Sequence, residues 1–293
     1  MEGTSARRLR ELTLEDCLPI PGAPMPLALR MIERMGFPAA YLSGAAFSAG
    51  QLALPDIGLF TLTELVEQTA RMTAVSSIPL IVDADTGFGD AANVERTVYE
   101  LSRAGAAAIQ IEDQVLPKRC GHLSGKSLVP AAAMCAKIRT AVGVREDRDL
   151  VLIARTDARA IEGLERAIER AEAYIDAGAD WIFVEALEEV AEFERVADRL
   201  DVPLVANMTE FGKSPLVPLG ELAEMGYAAV LYPVTLLRIA MRAMEAALGI
   251  LATEETQKSL LDLMQTREEL YELLDYQGYE ARDKRFFSGG SDA

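Results

Sequence analysis

The amino-acid sequence predicts an α/β fold, namely a (β/α)8 TIM-type barrel with a helical C-terminal extension. Short apolar segments rich in β-branched residues alternate with amphipathic helical stretches, as parallel β/α architecture requires. Eight such segments are predicted to be strands, at residues 18–23, 39–44, 79–85, 106–113, 150–157, 180–186, 203–210 and 228–233. Eight strands favour one closed barrel, and a doubly wound open sheet is the alternative.

A weak internal repeat supports the barrel. The segments MGFPAAYLSG, AGAAAIQIED, AGADWIFVEA and MGYAAVLYPV each place a glycine after a predicted helix, where a left-handed C-terminal cap is favoured. The residue seven positions after that glycine is Ser43, Glu112, Glu185 or Pro233. Three of these four are polar and end a predicted strand, which is where α/β barrels assemble their active sites.

The C-terminal part of the chain is predicted to be helical from about residue 234. No low-complexity linker or shift in composition divides the sequence. We therefore expect residues 1–287 to form a single barrel domain with C-terminal helices. Residues 288–293, SGGSDA, are expected to form a disordered tail.

The charge composition restricts the possible partners. The 293 residues include 29 Lys and Arg against 46 Asp and Glu, a net charge of −17, which argues against nucleic acid or an anionic membrane as the main partner. We expect no signal peptide and no membrane span, because no apolar stretch reaches about 18 residues without a charge. Three cysteines, an odd number, are typical of a reduced cytoplasmic protein.

The segment KRCGHLSGKS, residues 118–127, resembles two known motifs without matching either. A Walker A loop needs four residues between its glycines, whereas Gly121 and Gly125 enclose three. A structural zinc site usually needs four Cys or His ligands, and only Cys17 and Cys135 remain beyond Cys120 and the single histidine. The spacing therefore argues against both a phosphate loop and a zinc site.

A reactive cysteine is the third interpretation of this segment. Four side chains that are or can become cationic flank Cys120, namely Lys118, Arg119, His122 and Lys126. Positive neighbours favour the thiolate and attract anionic substrates. Gly121 and Gly125 would allow the loop to hinge over a site. A solvated basic loop with an incidental cysteine explains the same residues, and the residue types alone do not decide between the two.

The segment VDADTGFGD predicts a metal site. Asp83 and Asp85 are two residues apart on a predicted strand, so both should point to the same side. Two neighbouring carboxylates repel unless a cation lies between them, and a few oxygen ligands suit Mg²⁺ or Mn²⁺. Glu112 and Asp113 on the next strand could support the ion through water. The alternative is an aspartate pair that caps the following turn.

Polar residues also end the later predicted strands. Arg155 and Asp157 end one strand, and Glu185 ends the next. The strand after these ends in a group of polar residues, Asn207, Thr209 and Glu210. Each residue alone could be a cap or an ion-pair partner, but a whole series of such ends indicates an active-site face. Arg238 and Arg267 lie on predicted helices, and taken alone they suggest surface charges.

Together and in this order, the motifs resemble the isocitrate lyase/phosphoenolpyruvate mutase superfamily. The matching segments are YLSG, DADTGFG, IEDQ…PKRCGH…GK, ARTDA, EA, N…TEFG and LYP. From about residue 15 to 287 the chain is similar to the 2-methylisocitrate lyase family within it. The resemblance implies Mg²⁺-dependent cleavage of a small polycarboxylate in the 2-methylcitrate cycle of propionate catabolism. It also implies a cytoplasmic homotetramer with exchanged C-terminal helices.

The substrate is narrowed by two features of the resemblance. The cysteine branch of the family carries K-[KR]-C-G-H, matched by residues 118–122, which implies C–C cleavage. Isocitrate lyases are much longer, which favours a methylisocitrate-type substrate. However, PGAPMPLALR departs from the usual family pattern and lacks a polar residue that normally faces the site. A lyase for a 2,3-dimethylmalate-like dicarboxylate and a non-catalytic ligand-binding homologue therefore stay open as alternatives.

The resemblance also implies roles for individual residues. The implied metal ligands are Asp83 and Asp85, with Glu112 in support. The implied binders of the 2-oxo acid half are Ser43, Gly44, Ala45 and Arg155. The implied contacts to the rest of the substrate are Gly121, Glu185, Asn207, Met208, Thr209, Arg238 and Arg267. The implied catalytic residues are Cys120 as proton donor, Lys118 and His122 beside it, and Tyr41 for the hydroxyl proton.

Overall fold

The computed structural model describes residues 4–123 and 125–288. Its strands all lie within the predicted segments. They are β1 (Leu18–Pro21), β2 (Ala40–Leu42), β3 (Leu80–Asp83), β4 (Ala108–Glu112), β5 (Val151–Thr156), β6 (Trp181–Val184), β7 (Leu204–Asn207) and β8 (Ala229–Tyr232). All pairings are parallel, in the order β1-β8-β7-β6-β5-β4-β3-β2. A parallel bridge between Gly22 and Tyr41 joins the two ends of this order, so the prediction of a barrel is confirmed.

Helices separate the strands and continue after β8. Before and within the barrel they are α1 (Ser5–Glu15), α2 (Pro26–Arg34), α3 (Gly44–Leu52), α4 (Leu62–Thr73), α5 (Ala91–Arg103), α6 (Ala131–Val144), α7 (Arg159–Glu162), α8 (Leu164–Asp176), α9 (Val190–Arg199) and α10 (Leu219–Glu224). After β8 they are α11 (Thr235–Glu254), a 3₁₀ turn (Lys258–Leu263), α12 (Arg267–Leu273) and α13 (Tyr276–Ser288).

The glycines of the repeat adopt the predicted left-handed conformation. Their φ angles are 82° at Gly36, 93° at Gly105, 105° at Gly178 and 94° at Gly226. Each follows a helix and lets the chain turn directly into the next strand, which is the task that a residue without Cβ performs best. The repeat therefore places its seventh residue at the carboxyl end of a strand, as expected.

The alternation of side chains along each strand determines what faces the barrel interior. On β5, Val151 and Ile153 belong to the inner apolar cluster, whereas Leu152 and Ala154 belong to the outer cluster under the helices. Because side chains alternate with period two, Arg155 points inward at the end of the same strand. The polar ends of the other strands reach the interior in the same way.

The chain divides into two compact units, one ending at Leu237 and the other beginning at Arg238. The first holds the barrel. Within the second, the rings of Tyr271 and Tyr276 stack with centroids 4.6 Å apart, and a capping box of Thr266 and Glu269 begins α12. The single domain expected for residues 1–287 stays a prediction. The tail expected from residue 288 lies outside the described residues apart from Ser288, which ends α13.

No helix within residues 4–123 and 125–288 is both long and apolar enough to cross a membrane.

Candidate active site

Three buried carboxylates, Asp83, Asp85 and Glu112, lie at the carboxyl ends of β3 and β4, and we call them the acidic corner. Asp83 Oδ2 accepts the backbone N–H of Gly44 at 3.0 Å. Asp83 Oδ1 accepts the side-chain amide of Gln110 at 3.2 Å. These two contacts fix the Asp83 carboxylate between the start of α3 and the end of β4.

Asp85 reaches the acidic corner by a turn and not by strand alternation. The sequence placed Asp83 and Asp85 on one strand, but β3 ends at Asp83, so this part of the prediction was wrong. Asp85 has a φ of 47°, and its carbonyl accepts the N–H of Glu112 at 2.8 Å. A Cβ built on Gly44 would lie 3.2 Å from Asp83 Oδ2 and 3.0 Å from Asp85 Oδ1, so both carboxylates border the same glycine.

The acidic corner carries more negative charge than its neighbours compensate. Burial raises the pKa of Asp85 to about 7, because the opposing attraction of Lys118 is weaker. Burial likewise raises the pKa of Glu112 well above its ordinary range. Glu112 Oε1 and Asp85 Oδ1 have no hydrogen-bond partner in the part of the chain that the structure describes. Unpartnered buried carboxylate oxygens are a fitting donor set for a hard divalent cation.

The described residues contain no cluster of three or more His, Cys, Asp or Glu side chains already arranged around a metal position. A cation at the acidic corner would therefore take part of its shell from water and substrate. Mg²⁺ typically keeps several waters and binds few carboxylates, so the donor set fits it.

Lys118 bridges the acidic corner to a residue that the sequence analysis missed. Its ammonium pairs with Asp56, in the loop after α3, and lies 2.8 Å from Asp85 Oδ1. The second contact is an ion pair without hydrogen-bond geometry. Although burial lowers the pKa of Lys118, the surrounding carboxylates outweigh it and raise the pKa, so the side chain remains a cation. Asp56 follows no strand and belongs to no recognisable motif, so no sequence signal identified it.

Tyr41 is linked to the acidic corner through Gln110. Its hydroxyl donates to Gln110 Oε1 at 3.0 Å, and Gln110 in turn donates to Asp83. Burial, reinforced by the charge of Asp83, raises the pKa of the Tyr41 hydroxyl well above its ordinary value. These contacts make Tyr41 a support for the carboxylates, through a glutamine that the sequence analysis did not identify.

Arg155 lies at the end of β5 beside Glu112 of β4, and its Nε lies 3.4 Å from Glu112 Oε2. It also belongs to a second group of polar strand ends, whose carboxylates have cationic or amide partners. We call this group, consisting of Arg155, Asp157, Glu185 and Asn207, the paired corner. Arg155 Nε lies 3.0 Å from Asp157 Oδ2, and its Nη2 lies 3.1 Å from Asp157 Oδ1. Its Nη1 lies 3.5 Å from Glu185 Oε2, and the guanidinium stands 5.2 Å from the ring centre of Phe183.

Glu185 is fully ionised in the paired corner. Asn207 Nδ2 donates to both of its oxygens, at 3.3 and 3.2 Å, and His122 Nε2 lies 2.9 Å from Oε1. Burial alone would raise the pKa of Glu185, but Arg155 and the hydrogen bond from His122 outweigh burial and lower it to about 2. His122 Nδ1 accepts the backbone N–H of Lys213 at 3.0 Å, so the ring proton sits on Nε2 and points at Glu185.

The thiol of Cys120 behaves differently from the sequence-based expectation. Basic neighbours predicted a thiolate, but burial raises the pKa of Cys120, with Asp56 and Glu185 adding to the rise. The prediction fails because the nearby basic groups are engaged elsewhere: Lys118 pairs with Asp56, and the Nε2–H of His122 points at Glu185. The half-buried thiol is therefore protonated at neutral pH.

The backbone that follows Cys120 packs directly on the paired corner. A Cβ at Gly121 would lie 2.4 Å from Arg155 Nη2 and 2.5 Å from Glu185 Cγ, so only glycine fits. Lys126 donates to the Gly121 carbonyl and to Asp157 Oδ1, the latter at 2.7 Å. The segment thus holds the thiol between the acidic corner and the paired corner.

The other residues implied by the resemblance fall into two groups. Ser43 caps α3 by accepting the N–H of Ala46 at 3.3 Å, with Gly44 and Ala45 following it in the first turn. Asn207 accepts the hydroxyl of Thr209 at 2.7 Å, and the buried Met208 accepts the N–H of Val217 at 3.2 Å. The second group is Arg238 and Arg267, which lie on α11 and α12 in the second unit.

Comparison with known proteins supports an enzyme family for this arrangement. A family model described as phosphoenolpyruvate phosphomutase matches residues 9–252. The chain is 54% identical over 276 residues to a 2-methylisocitrate lyase of Aeropyrum pernix, covering 94% of this chain and 89% of that protein. It is 49% identical over 280 residues to a 2-methylisocitrate lyase of Bacillus subtilis, covering 95% and 92%.

Solved structures agree with these sequence relatives. A 2,3-dimethylmalate lyase, described as a PEP mutase/isocitrate lyase superfamily member, superposes with a TM-score of 0.91 at 35% identity, with 100% of both chains covered. A phosphonopyruvate hydrolase complex with oxalate and Mg²⁺ superposes with a TM-score of 0.88 at 28% identity, with 97% of this chain and 100% of that chain covered. The chain belongs to the phosphoenolpyruvate mutase/isocitrate lyase superfamily.

Proposed function

We propose that the protein is a carbon–carbon lyase that cleaves 2-methylisocitrate to pyruvate and succinate. The observation that carries this proposal is a protonated thiol, Cys120, held between a carboxylate cluster that fits a cation and an arginine, Arg155, that fits a carboxylate. Relatives that are 54% and 49% identical to this chain and are named 2-methylisocitrate lyase support this choice of substrate.

The acidic corner would hold Mg²⁺, with Mn²⁺ as a substitute, through Asp83, Asp85 and Glu112. The unpartnered oxygens of Asp85 and Glu112 support this role. When bound there, the cation supplies Lewis acidity that lowers the pKa of the substrate hydroxyl.

Substrate binding divides between the two corners. The first turn of α3 presents Ser43, Gly44 and Ala45 to the 2-oxo acid half, and Arg155 clamps its carboxylate with a planar guanidinium. Contacts to the rest of the substrate are assigned to two groups of residues. The first is Gly121, Glu185, Asn207, Met208 and Thr209, and the second is Arg238 and Arg267.

Bond cleavage needs a proton to leave and another to arrive. The substrate hydroxyl gives its proton to water, the C–C bond breaks, the hydroxyl carbon becomes the pyruvate carbonyl, and the electron pair passes to the carbon beside a succinate carboxylate. Cys120 S–H then protonates that carbon, and the thiolate takes a proton back from water before the next turnover. Because burial raises its pKa, the thiol enters the reaction as an acid, as this step requires. Lys118 and His122 orient it, and Tyr41 holds Asp83 through Gln110.

A related substrate is the second candidate. The structural neighbour named 2,3-dimethylmalate lyase supports a lyase for a 2-hydroxy dicarboxylate that uses the same thiol. Assays of pyruvate release from 2-methylisocitrate, isocitrate and 2,3-dimethylmalate, with Mg²⁺ and with EDTA, separate the candidates. Fastest turnover of 2-methylisocitrate with Mg²⁺ supports the proposal. Release from none of the three would instead indicate a non-catalytic ligand-binding homologue.

We further propose that the enzyme serves propionate catabolism through the 2-methylcitrate cycle, in the cytoplasm. A homotetramer with exchanged C-terminal helices is proposed on the family resemblance. Light scattering of the purified chain tests the tetramer, with a monomeric mass as the contradicting result.

A further inference from the structure

Lys126 is buried at the barrel mouth, and the proposed reaction gives it no role. Its Nζ lies 2.7 Å from Asp157 Oδ1 and also donates to the carbonyl of Gly121. Only 8% of the residue is exposed, and Asp157 is fully buried. A buried ammonium is costly unless it is paired, so this pair needs a reason beyond a surface contact.

Asp157 is shared between two cations. Its Oδ1 receives both Lys126 Nζ and Arg155 Nη2, the latter at 3.1 Å, while its Oδ2 faces Arg155 Nε at 3.0 Å. Arg155 also faces Glu185 Oε2 at 3.5 Å and Glu112 Oε2 at 3.4 Å, so it and Lys126 together compensate three carboxylates. Without Lys126, Arg155 alone would have to compensate Asp157 as well, and less of its charge would remain for an anionic ligand.

Asp113 holds the backbone of Asp157 in place. The backbone N–H of Asp157 donates to Asp113 Oδ1 at 2.9 Å, and Asp113 Oδ2 accepts the hydroxyls of Thr156 and Tyr174, each at 2.7 Å. The shared carboxylate cannot move freely toward either cation. The division of its charge between Lys126 and Arg155 is therefore built into the end of β5.

We propose that Lys126 is a positioning residue for the substrate carboxylate, acting through Asp157. By taking a share of the Asp157 charge, Lys126 leaves Arg155 available to bind a carboxylate of the ligand. The proposal rests on the proposed role of Arg155 as a carboxylate clamp. The competing explanation is that Lys126 only ties the backbone at Gly121.

A charge-balanced double variant separates the two explanations. Lys126→Met leaves Asp157 to Arg155 alone and should weaken oxalate binding in the presence of Mg²⁺ at least about tenfold. Adding Asp157→Asn removes the unbalanced carboxylate, so the double variant should return to within about threefold of wild type, because close charges couple strongly. Loss of the tie to Gly121 alone predicts no such recovery. Calorimetric titration of oxalate into the purified holoprotein measures all three affinities.

The controls use the same chain. Lys284→Met removes an exposed lysine on α13 whose ammonium faces Glu280 at 3.9 Å, and it should leave oxalate affinity unchanged. If circular dichroism shows Lys126→Met to be unfolded, Lys126→Gln takes its place. A double variant as weak as Lys126→Met overturns the proposal, as does a wild-type protein that binds no oxalate. Pyruvate release by the wild-type enzyme tests the proposed function separately.

Discussion

Glu112 and Glu185 occupy the same place in the internal repeat, yet the pKa values of their carboxyl groups shift in opposite directions. Each lies seven residues after a capping glycine, and each is only 1% exposed. Burial raises the pKa of Glu112 well above its usual range, whereas Arg155 and His122 overcome burial at Glu185 and lower its pKa to about 2. Equal burial therefore does not decide the charge of a carboxylate; the partners do.

The two glutamates belong to groups that differ in how far their carboxylate oxygens are satisfied by hydrogen bonds and ion pairs. At the paired corner, Asn207, His122 and Arg155 satisfy the oxygens of Glu185. At the acidic corner, Glu112 Oε1 is without a hydrogen-bond partner among the described residues. The proposed function accordingly assigns a cation to the acidic corner and a substrate carboxylate to Arg155 at the paired corner.

The thiol between the two corners carries the largest expected effect. Replacing Cys120 by Ser should lower kcat by about 10²–10⁴-fold, the usual contribution of general acid catalysis. Binding of oxalate with Mg²⁺ should stay near wild type, because neither corner is altered. Assays of pyruvate release and calorimetry measure the two quantities, with Cys135→Ser as the matched control. Normal turnover by Cys120→Ser would exclude the thiol as the acid.

Exchange of the two glutamates for glutamine tests the comparison directly. Glu112→Gln should weaken Mg²⁺ binding by about 10–100-fold, whereas Glu185→Gln should leave it unchanged. In EDTA, the two variants should differ in the free energy of unfolding. Glu185→Gln should lower it by roughly 1–3 kcal/mol, because Arg155 and His122 lose a buried anion, whereas Glu112→Gln should leave it unchanged. Metal titration and urea unfolding measure these effects, and equal losses by both variants would contradict the division.

The pH dependence of stability should have opposite signs at the two corners. The pKa of Asp85 is raised from 3.8 to about 7, so between these values the folded state holds a proton that the unfolded chain has lost. Its contribution is therefore full below pH 3.8 and is lost as the pH rises to about 7, by roughly 1–3 kcal/mol. The pKa of Glu185 is lowered from 4.5 to about 2, so its contribution to stability is full above pH 4.5 and is lost as the pH falls toward 2.

Urea unfolding between pH 4 and 8 measures the Asp85 part of this difference. In EDTA, Asp85→Asn should reduce the loss of stability that the wild-type protein shows as the pH rises toward neutral. Saturating Mg²⁺ should remove this loss in the wild-type protein, because the bound cation favours the ionised carboxylate. Glu185→Gln should leave the decline in place. A wild-type decline that survives Asp85→Asn would assign it to another group.

Local patterns explain why the sequence predicted so much of the barrel. Period-two alternation and the capping glycines act within a few residues, so all eight strands and the inward-facing Arg155 and Glu185 could be predicted. Asp56 could not, because its ion pair with Lys118 joins residues far apart in the chain. For the same reason the residue types around Cys120 favoured a thiolate, although the resemblance implied a proton donor. Carboxylates from distant parts of the chain pair with its basic neighbours Lys118 and His122, which a count of neighbouring charges along the chain cannot show.

The smallest expected effect concerns the glycine that borders the acidic corner. A Cβ on Gly44 would lie 3.0 Å from Asp85 Oδ1 and 3.2 Å from Asp83 Oδ2, so Gly44→Ala should displace both carboxylates by a few tenths of an ångström. Because ligand positions matter within about 0.5 Å, Mg²⁺ affinity should fall only several-fold. Oxalate binding at saturating Mg²⁺ should fall by a similarly small factor, since Gly44 also belongs to the segment proposed to bind the 2-oxo acid half.

Gly143 in α6 provides the matched control, because a Cβ there meets no atom within 4 Å. Gly143→Ala should stabilise the protein by about 0.5–1 kcal/mol, through the lower entropy of the unfolded chain, and leave Mg²⁺ affinity unchanged. Calorimetric titration of Mg²⁺ compares the two variants. Wild-type affinity in Gly44→Ala would mean that the carboxylates at the acidic corner are not held against the start of α3 when the ion binds. The contrast with the tightly fixed Glu185 would then lie in rigidity as well as in charge.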